Sequence, residues 1–393
     1  MKKFLIVVLA AIMMLATAIP AMAQSSDQQA MDPELLEIYQ AEMSQAKYII
    51  NRYTAYEHES FLNYYQTAFK VFLAVELGGV PITEETIGMI DDVAAAREQL
   101  VQIVDDPEDV CIYIWGDEMA TEPGIDTDAE YWMGCYDNPD FKPFLIANIH
   151  EDQADVKGNI IFVSGGGYLL RSNMEEAYPC ADYFYEHGYN TYVLQRRVVP
   201  YDMNDSSLDL QRAIRYLRYH AEELGIASNV ENMAAAGYSG GAGTVGRMLE
   251  QYADDQTPDT VYADYTPDEI DQMDANLDAI LLIYGGGSID LENLASGRET
   301  FPATFLAFGT DDMDDIVNGS IALYQSLRGK VSNLELHGFS QTAHGFGLGQ
   351  GIDGWMYDIA GTDTWADQAI TFLDVEFGYQ ERNTGSIENY PEW

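Results

Sequence analysis

One stretch limits the folds open to this chain more than any other. Met233-Ala-Ala-Ala236 is a short apolar run of strand character, and it breaks directly into Gly237-Tyr238-Ser239-Gly240-Gly241. A G-x-S-x-G pattern straight after a strand calls for a sharp strand-to-helix turn. In such a turn the serine backbone is strained, and glycines on either side let neighbouring main chain pass without a Cβ collision. The hydroxyl is then lifted above the end of a sheet. Residues 242–252 follow with Val245, Met248 and Leu249 at helical spacing, which predicts a helix whose first amides face the serine. Ser239 is therefore a candidate nucleophile. The same five residues also fit a glycine-rich turn of a parallel sheet that merely contains serine, so context must decide.

The hydrophobic period from about residue 110 onward supports the sheet. Residues 110–115, 143–150, 159–163, 190–194, 233–236, 279–284, 304–308 and 333–336 alternate or run apolar over strand lengths. Residues 173–187, 208–224, 321–327 and 365–377 carry helical patterns. Residues 117–140 read as loop and 254–274 as a polar insertion. The best-formed helix is 208–224. Leu210, Ile214, Leu217, Ala221 and Leu224 line one face, Ser206-x-x-Asp209 resembles a capping box, and Gly225 supplies the stop. Strands alternating with helices predict an α/β fold with a mostly parallel sheet covered on both faces.

Ahead of this lie two segments of other kinds. Residues 1–23 have Lys2-Lys3, an apolar core over 4–16, Pro20 and then Ala21-Met22-Ala23, the pattern of a secretory signal peptide cleaved after Ala23. The mature chain is expected outside the cytoplasm, extracellular or periplasmic. No other stretch reaches the roughly 18 apolar residues of a membrane span. Residues 24–109 read as an all-helical appendage. Asp32-Pro33-Glu34 starts a helix with Leu35, Tyr39, Met43, Ala46, Ile50 and Tyr53 on one face. A second helix is expected over 59–77 and a third over 83–103. Its aromatic stripe suits a helix-packing core, with a ligand surface as the alternative. Residues 110–393 form the α/β unit.

The net charge of -46, from 65 acidic against 19 basic residues, excludes nucleic acid and anionic membrane surfaces as partners. The acids are spread along the chain, as in a solvated, self-repelling surface. Of the three cysteines, Cys111 and Cys135 can bridge in an oxidising compartment, while Cys180 reads as a small buried hydrophobe. With neither C-x-x-C nor H-E-x-x-H there is no zinc pattern, and no cofactor is expected.

A nucleophilic serine needs a base, and the base needs an orienting acid. Two histidines follow Ser239. His344, in the loop Ser340-Gln-Thr-Ala-His344-Gly-Phe-Gly347, is the favoured base; His337 ends a strand-like run, where alternation makes it a sheet-face residue. The acid is expected in Gly309-Thr-Asp-Asp312-Met-Asp-Asp315, with Asp312 preferred to Asp311. Asp314 and Asp315 suit the first turn of the next helix. This loop lacks the spacing and the closing glutamate of an EF-hand. The oxyanion requires backbone donors. Gly240, beside the nucleophile, is one, and Ser164-Gly165-Gly166-Gly167-Tyr168 offers Gly165 and Gly166, where no Cβ shields the main chain. Neither G-x-G-x-x-G nor G-K-[ST] follows, so a phosphate loop is not indicated. Gly285-Gly-Gly287 reads as a strand-end turn.

With these residues assembled, 140–377 resembles the α/β-hydrolase serine esterases, and within them the carbohydrate acetyl esterase and acetyl-xylan-esterase-like group. That group pairs a glycine-rich oxyanion loop with a G-x-S-x-G elbow and a late His-Gly-Phe, here Ser164-Gly-Gly-Gly-Tyr168, Gly237-Tyr-Ser-Gly-Gly241 and His344-Gly-Phe346. Gly188-Tyr-Asn-Thr-Tyr-Val-Leu194 and Asp209-Leu-Gln-Arg-Ala-Ile-Arg-Tyr-Leu-Arg218 look like the same group. The resemblance implies a serine esterase that removes acyl groups, often acetate, from a carbohydrate or small-molecule ester. Ser164 departs from the usual proline or histidine and leaves the loop less stiff. A lipase or peptidase on the same site, or a non-catalytic binding protein of this fold, are the rivals. A lipase would need a broad apolar cap, which the acidic stretch 254–274 does not supply.

Overall fold

Alternation along each strand decides which face of the sheet a side chain enters. The computed structural model describes residues 33–52, 59–72, 74–75, 81–100, 111–122, 124–125, 141–252, 256–290, 301–349 and 361–381. Its helices are α1 (Pro33–Arg52), α2 (Glu59–Phe72), α3 (Glu84–Arg97), α4 (Tyr178–Glu186), α5 (Met203–Tyr219), α6 (Gly240–Gln251), α7 (Asp314–Leu327) and α8 (Trp365–Glu376). Its strands are β1 (Cys111–Tyr113), β2 (Phe144–Asn148), β3 (Asn159–Val163), β4 (Asn190–Gln195), β5 (Met233–Tyr238), β6 (Ala279–Ile283), β7 (Ala303–Gly309) and β8 (Leu334–Phe339). They form one sheet in the order β1-β2-β4-β3-β5-β6-β7-β8. Strands β3 to β8 are mutually parallel; β1 and β2 add an antiparallel edge.

Ile160, Phe162, Ala236, Leu281 and Phe305 pack on one face against Phe184 of α4 and Trp365 and Phe372 of α8. Ile161, Val163, Ala235, Leu282 and Leu306 pack on the other against Leu210 and Ile214 of α5, Val245 and Leu249 of α6 and Leu323 of α7. This two-sided burial explains why the strands read as nearly continuous apolar runs. It also places the site. Although β3 and β5 are neighbours, the chain leaves β3 for α4 on the first face and leaves β5 for α6 on the second. Loops that diverge in this way open a crevice at the carboxyl ends of the strands. Loop 164–168 and turn 237–241 flank it.

Several boundaries differ from the sequence expectation: α5 ends at Tyr219 and not at 224, and α7 begins at Asp314 and not at 321. Helix α5 begins at Met203, not at 208, because Asp202 caps it: its carboxylate accepts the amides of Asn204 and Asp205, and the Asp205 side chain returns to the Asp202 amide. Asp209, expected in the cap, is instead buried and paired with Arg197, whose Nη2 lies 2.7 Å from Oδ1, while the Trp115 indole N–H donates to the same oxygen at 2.8 Å. Arg197 also meets Asp205 at 3.3 Å. Helix α3 stops at Arg97, short of residue 103; its N-terminus is the Thr83–Thr86 capping box.

The helical region is more than an appendage. Tyr39, Met43, Tyr64, Ala68, Ile90 and Val93 of α1 to α3 form a core with Leu169, and Leu170 packs against it. Phe61 and Tyr65 of α2 join the sheet core, and the Tyr65 hydroxyl donates to Glu175 at 2.6 Å. The aromatic stripe is thus packing surface, and it reaches the loop beside the crevice. The signal-peptide segment 1–23, Asp32, Cys135 and the expected end of the second helix at 77 lie outside the described residues. Cys180 is fully buried in α4, as its sequence context suggested.

Candidate active site

Ser239 sits between β5 and α6 with φ +49 and ψ -117, a conformation that L residues rarely adopt. Strain of this kind costs about 1–3 kcal/mol and persists only where surroundings enforce it. Here they do. The Ser239 amide donates to the Ile283 carbonyl at 3.0 Å and its carbonyl accepts the Gly243 amide at 3.2 Å. Gly237 and Gly241 are obligatory: a Cβ on the first would lie 2.7 Å from the Ala242 nitrogen, and on the second would run into the Val163 carbonyl oxygen.

Residues more than 100 positions apart meet at this hydroxyl. Nε2 of His344 lies 2.9 Å from Oγ of Ser239, and Nδ1 lies 2.9 Å from both carboxylate oxygens of Asp312. An ionised carboxylate only accepts, so Nδ1 carries the proton and Nε2 presents its lone pair to the serine hydroxyl. The Asp312 side chain is fully buried and that of His344 is 14% exposed, so the relay is shielded below and open to solvent above. Asp312 follows β7 and also accepts the Met313 amide at 2.7 Å. Asp311 points to solvent with Thr310, and Asp314 and Asp315 open α7. His337 lies on β8, bonded to Glu335 at 3.0 Å and stacked on Phe305, away from the serine.

The glycine loop requires a correction. The Gly165 amide is not free: it donates to Oε2 of the buried Glu176, and the residue itself is buried. Gly166 and Gly240 are partly exposed, and neither amide has an acceptor among the described residues. The Gly165 amide is thus not available as the donor expected of it, whereas those of Gly166 and Gly240 are unengaged among the described residues. Loop and elbow touch, since a Cβ on Gly165 would lie 2.9 Å from the Ser239 Cβ and one on Gly240 would lie 3.2 Å from the Gly167 nitrogen. Sequence reasoning missed Glu176, Arg196 and Tyr284, which surround this loop. Nothing local separates Glu176 from the chain's other acids.

The mostly parallel eight-stranded sheet, covered by helices on both faces, has the α/β-hydrolase fold. Among proteins of known family, the BD-FAE family model matches residues 148–313, less than half of the chain, a span that holds Ser239 and Asp312 and stops before His344. The chain is similar to an acetylxylan esterase of Xylanibacter ruminicola, 22% identical over 199 residues that make up 48% of this chain and 41% of that protein. It thus spans about two fifths of the length of that relative. A solved structure of an acetyl ester-xyloside bifunctional hydrolase from Caldicellulosiruptor lactoaceticus shares the fold at 22% identity and a TM-score of 0.52, covering 67% of this chain and 95% of that one. No helix among the described residues is long and apolar enough to cross a membrane, and no cluster of metal-binding side chains occurs among them.

Proposed function

We propose that this chain is a secreted serine carboxylic-ester hydrolase that deacetylates acylated carbohydrates or small esters. The reading rests above all on the Ser239–His344–Asp312 relay, with both links at 2.9 Å. Ser239 Oγ attacks the ester carbonyl while His344 Nε2 takes its proton, and the tetrahedral oxyanion is received by the Gly166 and Gly240 amides. His344 returns the proton to the departing alkoxide, leaving an acetyl-serine. Water, activated by the same imidazole, then releases acetate. Asp312 holds the tautomer and balances the imidazolium. No step needs a metal or an organic cofactor. The likeness to an acetylxylan esterase favours acetate on a sugar as the scissile group. Export follows from the leader pattern of residues 1–23.

Ser239→Ala tests the reading. It should abolish hydrolysis of p-nitrophenyl acetate and of acetylated xylo-oligosaccharides, and labelling by a fluorophosphonate, while the circular dichroism spectrum stays unchanged. Full activity in the variant would sink the assignment. A rising rate with acyl chain length would turn it toward a lipase, and an unlabelled wild-type Ser239 toward a binding protein.

A further inference from the structure

Three buried side chains that take no part in bond making hold the loop 164–168 from beneath. Glu176, 4% exposed, lies in the turn Asn173–Ala177 ahead of α4. Its Oε2 accepts the Gly165 amide and its Oε1 accepts the Tyr284 hydroxyl at 3.0 Å. The Tyr284 oxygen in turn accepts the Gly347 amide at 3.2 Å, three residues past His344, and its ring meets the His344 imidazole edge-on at 4.9 Å. From the other side Nη2 of the fully buried Arg196 donates to the carbonyls of Ser164 at 3.0 Å and Gly165 at 3.2 Å. The amide and the carbonyl of residue 165 are thus fixed by two side chains, a carboxyl and a guanidinium.

We propose that Glu176 is a positioning residue of the oxyanion hole: it engages the Gly165 amide so that Gly166 and Gly240 are the donors, and it ties their loop through Tyr284 to the loop of His344. The inference rests on the ester-hydrolase reading. Its physical basis is that the glycine loop has no side chains of its own to pack, and that Ser164 lacks the stiffness of a proline. A main-chain donor is useful only where it is held, and misplacing one sacrifices much of the stabilisation of the oxyanion.

The charge state matters, because an ionised carboxylate under the loop opposes the negative charge that develops above it. Burial pushes the Glu176 carboxyl up to about 8; Glu175 adds to this, while the Gly165 amide, the Tyr284 hydroxyl and Arg196 work against it. Tyr65 from α2, Cys180 from α4 and Tyr238 from β5 complete the titratable groups around it. Glu176 is thus expected to be the neutral acid at and below neutral pH and to ionise in mild alkali.

The experiment measures kcat and KM on p-nitrophenyl acetate across neutral and alkaline pH for wild type, Glu176→Ala and Glu176→Gln, with circular dichroism as the check on folding. Glu176→Ala should lower kcat by about 10- to 100-fold with KM little changed. The neutral isostere in Glu176→Gln should restore most of that loss and remove the fall in kcat expected of wild type near pH 8. A wild-type kcat in Glu176→Ala, or an alkaline fall that persists in Glu176→Gln, overturns the proposal. If the alanine variant does not fold, the pH profile of Glu176→Gln decides alone. An inactive wild type would overturn the ester-hydrolase reading and this inference with it, whereas an active wild type with unaffected variants overturns this inference only.

Discussion

The two halves of the rim around the candidate site hold their polar groups by different means. On the side of β5 to β8, the groups are side chains, Ser239, Asp312 and His344, each projecting from a strand-end loop and bonded to the next at 2.9 Å. On the side of β3 and β4, the groups belong to the main chain of loop 164–168, and what fixes that loop is buried and ionisable: Glu176 on one flank of Gly165 and Arg196 on the other. Neighbouring arginines sharpen the contrast. Arg197 is neutralised by Asp205 and Asp209, whereas Nε and Nη1 of Arg196 have no acceptor among the described residues, and burial lowers the Arg196 guanidinium to about 10. The first half is ordered by partners that chemistry itself requires. The second is ordered by groups whose burial works against stability, as is common where a fold maintains a site.

The largest test concerns the side-chain half. Asp312→Asn should cut kcat by on the order of 10³- to 10⁴-fold, because an amide stabilises the wrong imidazole tautomer and cannot balance the imidazolium. Asp311→Asn, at an exposed residue that does not bond to His344, should stay within about twofold of wild type. Equal losses in steady-state assays would dissolve the distinction between the two aspartates.

The arginines separate stability from activity. Arg197→Met strands two buried carboxylates and should cost about 3–5 kcal/mol in urea unfolding. Arg196→Met removes an incompletely bonded guanidinium and should change stability by no more than about 1 kcal/mol, while kcat falls as the Ser164 and Gly165 carbonyls lose their donor. The reverse order of stabilities would show that the two halves are held alike.

A pH test follows from Glu176. Its carboxyl is raised in the folded chain from the ordinary 4.5 to about 8, so the folded state keeps a proton that the unfolded state releases. The associated stability is fully present below the unfolded value and is lost as pH rises through the folded value. Glu176→Gln should therefore gain on wild type in thermal unfolding between about pH 5 and about pH 9, by on the order of a few kcal/mol. A difference independent of pH would mean that Glu176 does not titrate within the fold. The smallest effect is at the helical region. Tyr65→Phe removes the hydrogen bond to Glu175 and should cost about 1 kcal/mol, read as a drop of a few degrees in midpoint.

The side-chain half was legible early because its signals are local. G-x-S-x-G specifies a turn by steric need alone, and glycines 237 and 241 are the residues whose Cβ atoms would collide. His344 and Asp312 stood out because each follows a strand-like run. The alternation that marked β3, β5, β6 and β7 is likewise a property of a few consecutive residues. Misread boundaries arose where distant partners intervened. Asp209 has the spacing of a cap to Ser206 but is drawn into the core by Arg197 and Trp115, and the cap passes to Asp202.

By itself the sequence determined an α/β sheet, the strained serine turn and the pool of side chains from which a relay can form, because period, glycine placement and turn chemistry act within about ten residues of chain. Only the tertiary structure decided that Gly165 surrenders its amide, that Glu176 is the buried acid beneath its loop, and that α1 to α3 rest against Leu169. Those outcomes depend on which groups are desolvated together. Desolvation is set by contacts between residues far apart in sequence, where no local pattern carries the information.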